Sequence, residues 1–164
     1  MSQKAYSPLL KIEEVLPILN RISIFGGLTD KHLYEIFKLL KTVSYDPGEY
    51  IYKRGEAPSH IYIIRQGEVK IAIDSKDVSL ELITFVTGDC FGETSVIGIQ
   101  GHTASALSVT STELLVLERG ALLNIFDMDK ELFGLLILNI ARETSRRLHK
   151  ADDEILRLVL GKGN

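Results

Sequence analysis

The sequence predicts a mostly β domain flanked by helices, an antiparallel double-stranded β-roll or jelly roll entered by N-terminal helices and left by one long C-terminal helix. Three observations predict it. From Val43 to Glu118 apolar and polar residues alternate at period two, whereas both ends of the chain carry apolar residues at helical spacing. The β-branched and aromatic runs of the middle are cut at short intervals by glycine turns. A chain of 164 residues with 45% hydrophobic content can bury one core and little more, so 1–164 reads as a single domain.

Residues 8–41 hold the N-terminal helices. Leu9, Ile12, Val15, Leu16, Leu19, Ile22 and Phe25 recur near helical period, predicting an amphipathic start that Pro17 breaks in two, because proline removes a backbone donor. After Gly26-Gly27, Thr29 is placed to cap a helix whose apolar face is Leu33, Ile36, Phe37 and Leu40. Within 43–118 strands are expected at residues 50–52, 61–64, 69–73, 80–85 and 114–117. The turns between them are Asp46-Pro47-Gly48, Lys53-Arg54-Gly55-Glu56, Gln66-Gly67-Glu68 and Thr87-Gly88-Asp89. Many short strands punctuated this way build an antiparallel barrel or a double-sheet roll.

Residues 120–160 return to helices. Ala121 to Phe126 reads as a short one, and Asp129 can cap a longer one to about Leu160. On it Ile137, Ala141, Thr144, Leu148, Ala151, Ile155 and Leu158 repeat at spacings of four, three, four, three, four and three, which is a heptad seam. Leu132, Leu135, Leu136 and Ile140 give the first half a second apolar face that could pack on the roll. One face for the domain and one for a partner predicts a homodimer through residues 129–160.

The chemistry is concentrated in residues 88–106. A turn at Gly88-Asp89 leads to Gly92, where a backbone without Cβ can approach a ligand, and a short helix can start at Glu93-Thr94-Ser95. Free amides at such a start suit a phosphate. Phe91-Gly92-Glu93, followed nine residues on by His102-Thr103-Ala104, resembles the phosphate-binding cassette of the cyclic-nucleotide-binding domain family, the β-roll effector domain of catabolite activator-like proteins. The glycines at 48, 55, 67 and 88 fall where that roll has its turns, and the resemblance covers roughly residues 15 to 160.

The resemblance implies that Glu93 accepts a ribose hydroxyl and that the position of His102 faces a cyclic phosphate. The family has Arg there. Arg is a permanently charged, forked donor, whereas His is a single-point donor mostly neutral near pH 7. Losing a bidentate charged pair costs about 2 to 5 kcal/mol when its partner stays buried. Three outcomes stay open: His102 holds an anion weakly, Arg65 or Arg147 supplies the cation, or the pocket takes another ligand or none. On the residues alone, His102 beside Gly101 reads as an exposed polar loop residue. The family's Arg-Arg-Leu is kept as Arg146-Arg147-Leu148, but Ala151-Asp152 stands where its Thr-Ser pair would be. Asp152 could accept from an exocyclic amine or belong to a solvated acidic face with Asp153 and Glu154.

The expected binding set is therefore Gly92, Glu93, Thr94, Ser95, His102, Thr103, Ala104 and Arg147, for a small anionic ligand such as cyclic AMP (cAMP) or cyclic GMP (cGMP), with no covalent cofactor. The function implied is a non-enzymatic ligand-sensing regulatory module that signals through its dimeric helix to a downstream protein. The alternative is a degenerate family member that binds no nucleotide and serves as an interaction or scaffolding dimer.

Composition narrows the partners. Net charge is −3 with both signs interspersed, which argues against direct nucleic-acid binding. Cys90 is the single cysteine and reads as a small core residue. The start, Met1-Ser2-Gln3-Lys4-Ala5, lacks an apolar signal core, and no run approaches the roughly 18 apolar residues of a membrane span, so a cytoplasmic protein is expected. His32, His60 and His149 are dispersed, and no nucleophile elbow or nucleotide-phosphate loop is present, so neither a metal site nor an enzyme is expected. The sequence closes at Gly161-Lys162-Gly163-Asn164 where bacterial activators continue into a helix-turn-helix, so a stand-alone sensor without a DNA reader is expected.

Overall fold

The alternating middle of the chain folds into antiparallel strands arranged as two sheets. The computed structural model describes residues 4–161 except Leu10, Lys76 and Asp77; the readings placed on Met1-Ser2-Gln3 and Lys162-Gly163-Asn164 lie outside the described residues. In chain order the strands are β1 (Ser7–Pro8), β2 (Lys41–Tyr45), β3 (Tyr50–Tyr52), β4 (His60–Gln66), β5 (Glu68–Ser75), β6 (Val78–Val86), β7 (Cys90–Phe91), β8 (Ser105–Ser108) and β9 (Thr112–Glu118). One sheet has the order β1-β2-β9-β4-β7 and the other β3-β8-β5-β6. Pairing β2 with β9 and β3 with β8 brings the two ends of the strand region together, which makes the sheets a roll rather than a meander. The β4–β5 hairpin turns at Gly67, with φ +103°. A Cβ there would lie 2.5 Å from Thr112 Oγ1 and 2.7 Å from the Ser111 carbonyl, so only glycine fits.

The uninterrupted apolar run of β4 follows from a sheet covered on both faces. Tyr62 and Ile64 point into the roll with Val43, Tyr45, Val69, Phe85, Phe91 and Val116. Ile61 and Ile63 point to the opposite face, where they meet Ile22, Phe25, Ile36, Leu132, Leu136 and Ile140. The helical layer thus packs on the back of one sheet, leaving the two sheets to enclose the second core.

The N-terminal segment differs from expectation. Residues 12–25 form three short 3₁₀ turns, Ile12–Glu14, Leu16–Arg21 and Ser23–Phe25, in place of an interrupted α-helix. Pro17 sits in the first turn of the second, where its missing N–H costs nothing. The buried residues Val15, Ile18, Ile22 and Phe25 are spaced by threes and fours, a pattern that a tighter helix serves as well as an α-helix. The α-helices are α1 (Asp30–Phe37), α2 (Glu93–Gly98), α3 (Arg119–Met128) and α4 (Lys130–Gly161). Thr29 caps α1 as expected, its hydroxyl accepting from the His32 amide at 3.2 Å. Asp129 caps α4, accepting from the Leu132 amide at 3.0 Å. Leu132, Leu136 and Ile140 bury the first half of α4, and Asn139 donates to the carbonyls of Ile24 at 3.2 Å and Gly26 at 2.7 Å. Beyond Arg147 every described residue of α4 is exposed. Among the described residues no helix is long and apolar enough to cross a membrane.

Candidate functional site

The cassette begins where β7 ends. Phe91 pairs with Tyr62 and Cys90 with Ile63, which fixes Gly92 against β4. Gly92 has φ +82°, and a Cβ on it would come within 3.0 Å of the His60 carbonyl and of the Tyr62 ring. A side chain there would be strained by the positive φ and would press on both neighbours. Its left-handed turn starts α2, and the loop after α2 returns as Gly101-His102. There the His102 amide donates to the Glu56 carbonyl at 3.0 Å, and the Gly55 amide donates to the His102 carbonyl at 2.8 Å. The cassette is therefore pinned at both ends, to β4 and to the turn after β3.

Glu93 lies at the centre, 1% exposed. Its Oε1 accepts from Arg147 Nη1 at 2.6 Å, across the gap between the roll and α4. Arg147 Nη2 donates to the Cys90 carbonyl at 2.6 Å, and Nε donates to Glu143 Oε1 at 3.1 Å. The guanidinium also covers the Phe85 ring, 4.6 Å from its centroid. The second carboxylate oxygen, Glu93 Oε2, is buried and has no hydrogen-bond partner among the described residues. Burial pushes the Glu93 carboxyl above its usual range, against the opposing pull of the Arg147 charge. An acceptor held dry with a free lone pair is suited to a hydroxyl donor.

His102 lies in a loop as expected, but it is buried where the residues alone predicted exposure. It is 4% exposed and stacks on Tyr52, ring centroids 3.6 Å apart and planes 8° apart. Burial lowers its pKa, so near pH 7 it is a neutral imidazole. Arg65 is engaged with Glu113 of β9. Arg147 is thus the cation that reaches Glu93, and two carboxylates, Glu93 and Glu143, already balance it.

The other expected residues divide by face. Gly92, Ser95 and Ala104 are buried beside Glu93 and His102, whereas Thr94 and Thr103 are exposed. Cys90 is a core thiol, pushed up to about 12 by burial. Of the seam residues, Ala141, Leu148, Ala151, Ile155 and Leu158 are exposed, while Ile137 and Thr144 are half-buried.

Sequence reasoning missed Tyr52, Phe85 and Glu143 as members of this site. Glu143 had a usable signal, its place four residues before Arg147 on one helix face. A cavity of about 860 Å³ borders Tyr45, Tyr50, Tyr52, Lys53 and His60, and another of about 420 Å³ borders Lys31, Leu39, Ile125 and Met128. Neither is lined by the cassette. Arg147 contacts Glu93 and Tyr52 stacks on His102, so both side chains lie against the residues at the centre of the cassette.

Comparison with known proteins bears on the family and the fold. The family profile described as "Cyclic nucleotide-binding domain" matches residues 42–129. The chain is 31% identical over 116 residues to cyclic nucleotide-gated channel beta-3 of Canis lupus familiaris, covering 69% of this chain and 15% of the channel. The chain therefore spans a small part of that relative's length. Among solved structures, the catabolite activator protein of Thermus thermophilus superposes with a TM-score of 0.72 at 27% identity, over 84% of this chain and 63% of that one. A cyclic nucleotide-binding domain from Methylobacillus flagellatus KT gives a TM-score of 0.81 at 21% identity, over 94% of this chain and 87% of that one, a likeness of fold.

Proposed function

This chain belongs to the cyclic nucleotide-binding domain family, and on that premise we propose that it is a non-enzymatic sensor in which Glu93 receives the ribose hydroxyl of a cyclic nucleotide, cAMP or cGMP. The observation that carries this reading is the free, buried Oε2 of Glu93 beside the Gly92 corner. No covalent step is involved. A neutral His102 and a charge-balanced Arg147 leave the recess without surplus positive charge, so the phosphate is held weakly and affinity is low for the family.

Ligand arrival acts on α4 because the residue in its path is an α4 side chain. Displacing Arg147 from Glu93 removes a tie between the roll and the helix, so ligand shifts the population toward a different placement of α4. The ligand has to bind the two placements with different affinity for anything to be transmitted. The exposed seam of α4 is proposed to pair with a second copy and pass that change to a downstream protein.

One observation favours the second reading, a dimer that binds no nucleotide: His102 is covered by Tyr52 where the family has an outward cation. Replacing His102 by Arg separates the two. If the sensor reading holds, calorimetric affinity for cAMP or cGMP rises tenfold or more. No gain, with wild type also silent across the panel, leaves the scaffold.

A further inference from the structure

The cavity of about 860 Å³ lies between β3, the start of β4 and the residues that lead into β1, and none of Gly92, Glu93 or His102 borders it. Its size is that of a small-molecule site, roughly 300 to 1,000 Å³. Four of the chain's six tyrosines, Tyr6, Tyr45, Tyr50 and Tyr52, border it, so most of its phenol rings meet at one space. The backbone contributes to that concentration. A regular strand sends successive side chains to opposite faces, but the register of β3 against β8 shifts between Tyr50 and Tyr52, and Tyr50, Ile51 and Tyr52 all border the cavity.

The charges around the rings are not equivalent. Glu49 is spent on its own turn and on Lys4: its Oε2 accepts from the Asp46 amide at 2.7 Å and from Lys4 Nζ at 2.6 Å. Glu56 accepts from the Lys53 amide at 3.1 Å, closing the turn after β3. The Lys53 ammonium lies over the Tyr50 ring, 4.9 Å from its centroid, and among the described residues it forms no ion pair. Burial raises the phenols of Tyr45 and Tyr52 far above their usual range, so the rings bring no negative charge of their own. Lys4 also sits over a ring, 5.2 Å from the Tyr45 centroid. The ring faces that would attract a cationic ligand are thus already held by the chain's own ammonium groups. What the cavity offers a visitor is aromatic surface and, at Lys53, a positive charge without a counter-ion.

We propose that this cavity is a second ligand site, separate from the cassette, for a planar aromatic carboxylate: its ring packs among the tyrosines and its carboxylate pairs with Lys53. Offset or edge-to-face packing on the phenol rings selects flat aromatic bodies, and the ammonium selects the anion. The proposal does not depend on the cyclic-nucleotide reading of Glu93.

The test follows the six tyrosine ring signals by NMR in protein labelled with carbon-13 tyrosine, assigned by single Tyr→Phe replacements and titrated with indole-3-carboxylate. Tyr34, on α1 and outside the cavity, is the internal reference. Submillimolar binding is expected, with shifts at Tyr6, Tyr50 and Tyr52 and none at Tyr34. Indole-3-carboxamide, which lacks the charge, and cyclohexanecarboxylate, which lacks the ring, are each expected to bind at least tenfold more weakly, and benzyltrimethylammonium not at all. Lys53→Met keeps the stem of an exposed turn residue and is expected to weaken indole-3-carboxylate fivefold or more, whereas Lys150→Met on α4 leaves it within about twofold. Tyr50→Leu, also at the rim, is expected to weaken it as well. Glu93→Ala is expected to change it by less than twofold, even if that variant loses cyclic nucleotides. Silence of the tyrosine signals at millimolar ligand, equal affinity for the amide or for the cyclohexane acid, preference for the ammonium compound, or indifference to Lys53→Met overturns the proposal. Binding lost in Glu93→Ala assigns the acid to the cassette and overturns the second site as well.

Discussion

Arg147→Met removes the cation that, among the described residues, reaches Glu93, while keeping a long apolar stem over Phe85. Breaking a buried ion pair by deleting one partner costs about 3 to 5 kcal/mol, because the other charge is left dry. Glu93 is buried to 1% exposure, but the Arg147 side chain is 23% exposed, so screening by water brings the expectation down to about 2 to 3 kcal/mol. With a urea slope of about 2 kcal/mol per molar, the unfolding midpoint at pH 7.5 falls by about 1 to 1.5 M.

The deficit has a pH signature. Burial already raises the Glu93 pKa, and losing Arg147 raises it further. A carboxyl whose folded pKa lies above its unfolded value near 4.3 contributes stability that is complete below the unfolded value and is lost as pH rises through the folded one. The variant is therefore expected to lie closer to wild type at pH 4.5 than at pH 7.5. In a Glu93→Gln background the same substitution is expected to cost about 1 kcal/mol, and the difference is the coupling of the pair. A midpoint equal to wild type at pH 7.5, or a deficit that does not change between the two pH values, refutes the reasoning.

Ile99 closes α2 in the left-handed region, φ +52°, and is 69% exposed, so Ile99→Gly relieves strain and loses little packing. The thermal midpoint is expected to rise, corresponding to about 0.5 to 1 kcal/mol. Burial lowers the folded pKa of both His60 and His102, so their contribution is complete above the ordinary histidine value near 6.5 and is lost as pH falls through the lowered folded values. Urea titrations from pH 7.5 to 5 are expected to show falling stability that is shallower in the His102→Gln variant; parallel curves count against the assignment. Leu148→Asp places a charge in the seam, and sedimentation equilibrium is expected to show it shifted to monomer under conditions in which wild type is a dimer. Identical profiles would remove the seam from the account.

Elements governed by local chemistry were legible in the sequence. The strands at 50–52, 61–64, 69–73, 80–85 and 114–117, the turns at Gly48, Gly55, Gly67 and Gly88, and the caps at Thr29 and Asp129 all follow from alternation, left-handed turns and side-chain acceptors. Strands as short as Ser7–Pro8 and Cys90–Phe91 carry too few residues to display a period, and they exist because a neighbouring strand offers its edge. Residues 12–25 show why spacing alone misleads: threes and fours fit a 3₁₀ turn as readily as an α-helix, and tertiary burial decides.

The site was legible where it is contiguous, at Gly92, Glu93 and the short helix that follows. Between distant residues it was legible only through the family resemblance, which set Arg147 beside Glu93 and His102; the contacts themselves, Arg147 on Glu93 fifty-four positions earlier and His102 on Tyr52 fifty positions earlier, were not. No local pattern encodes those meetings, because the packing of the roll against α4 makes them.

The central claim is that the unpartnered oxygen of Glu93 is a seat for a ribose hydroxyl. Calorimetric titration of the protein with cAMP and cGMP, beside the Glu93→Ala variant, tests it most directly. Submillimolar binding is expected of wild type and none of Glu93→Ala, while the variant keeps its fold by circular dichroism. Wild-type silence toward both nucleotides, or binding that survives the loss of Glu93, contradicts it.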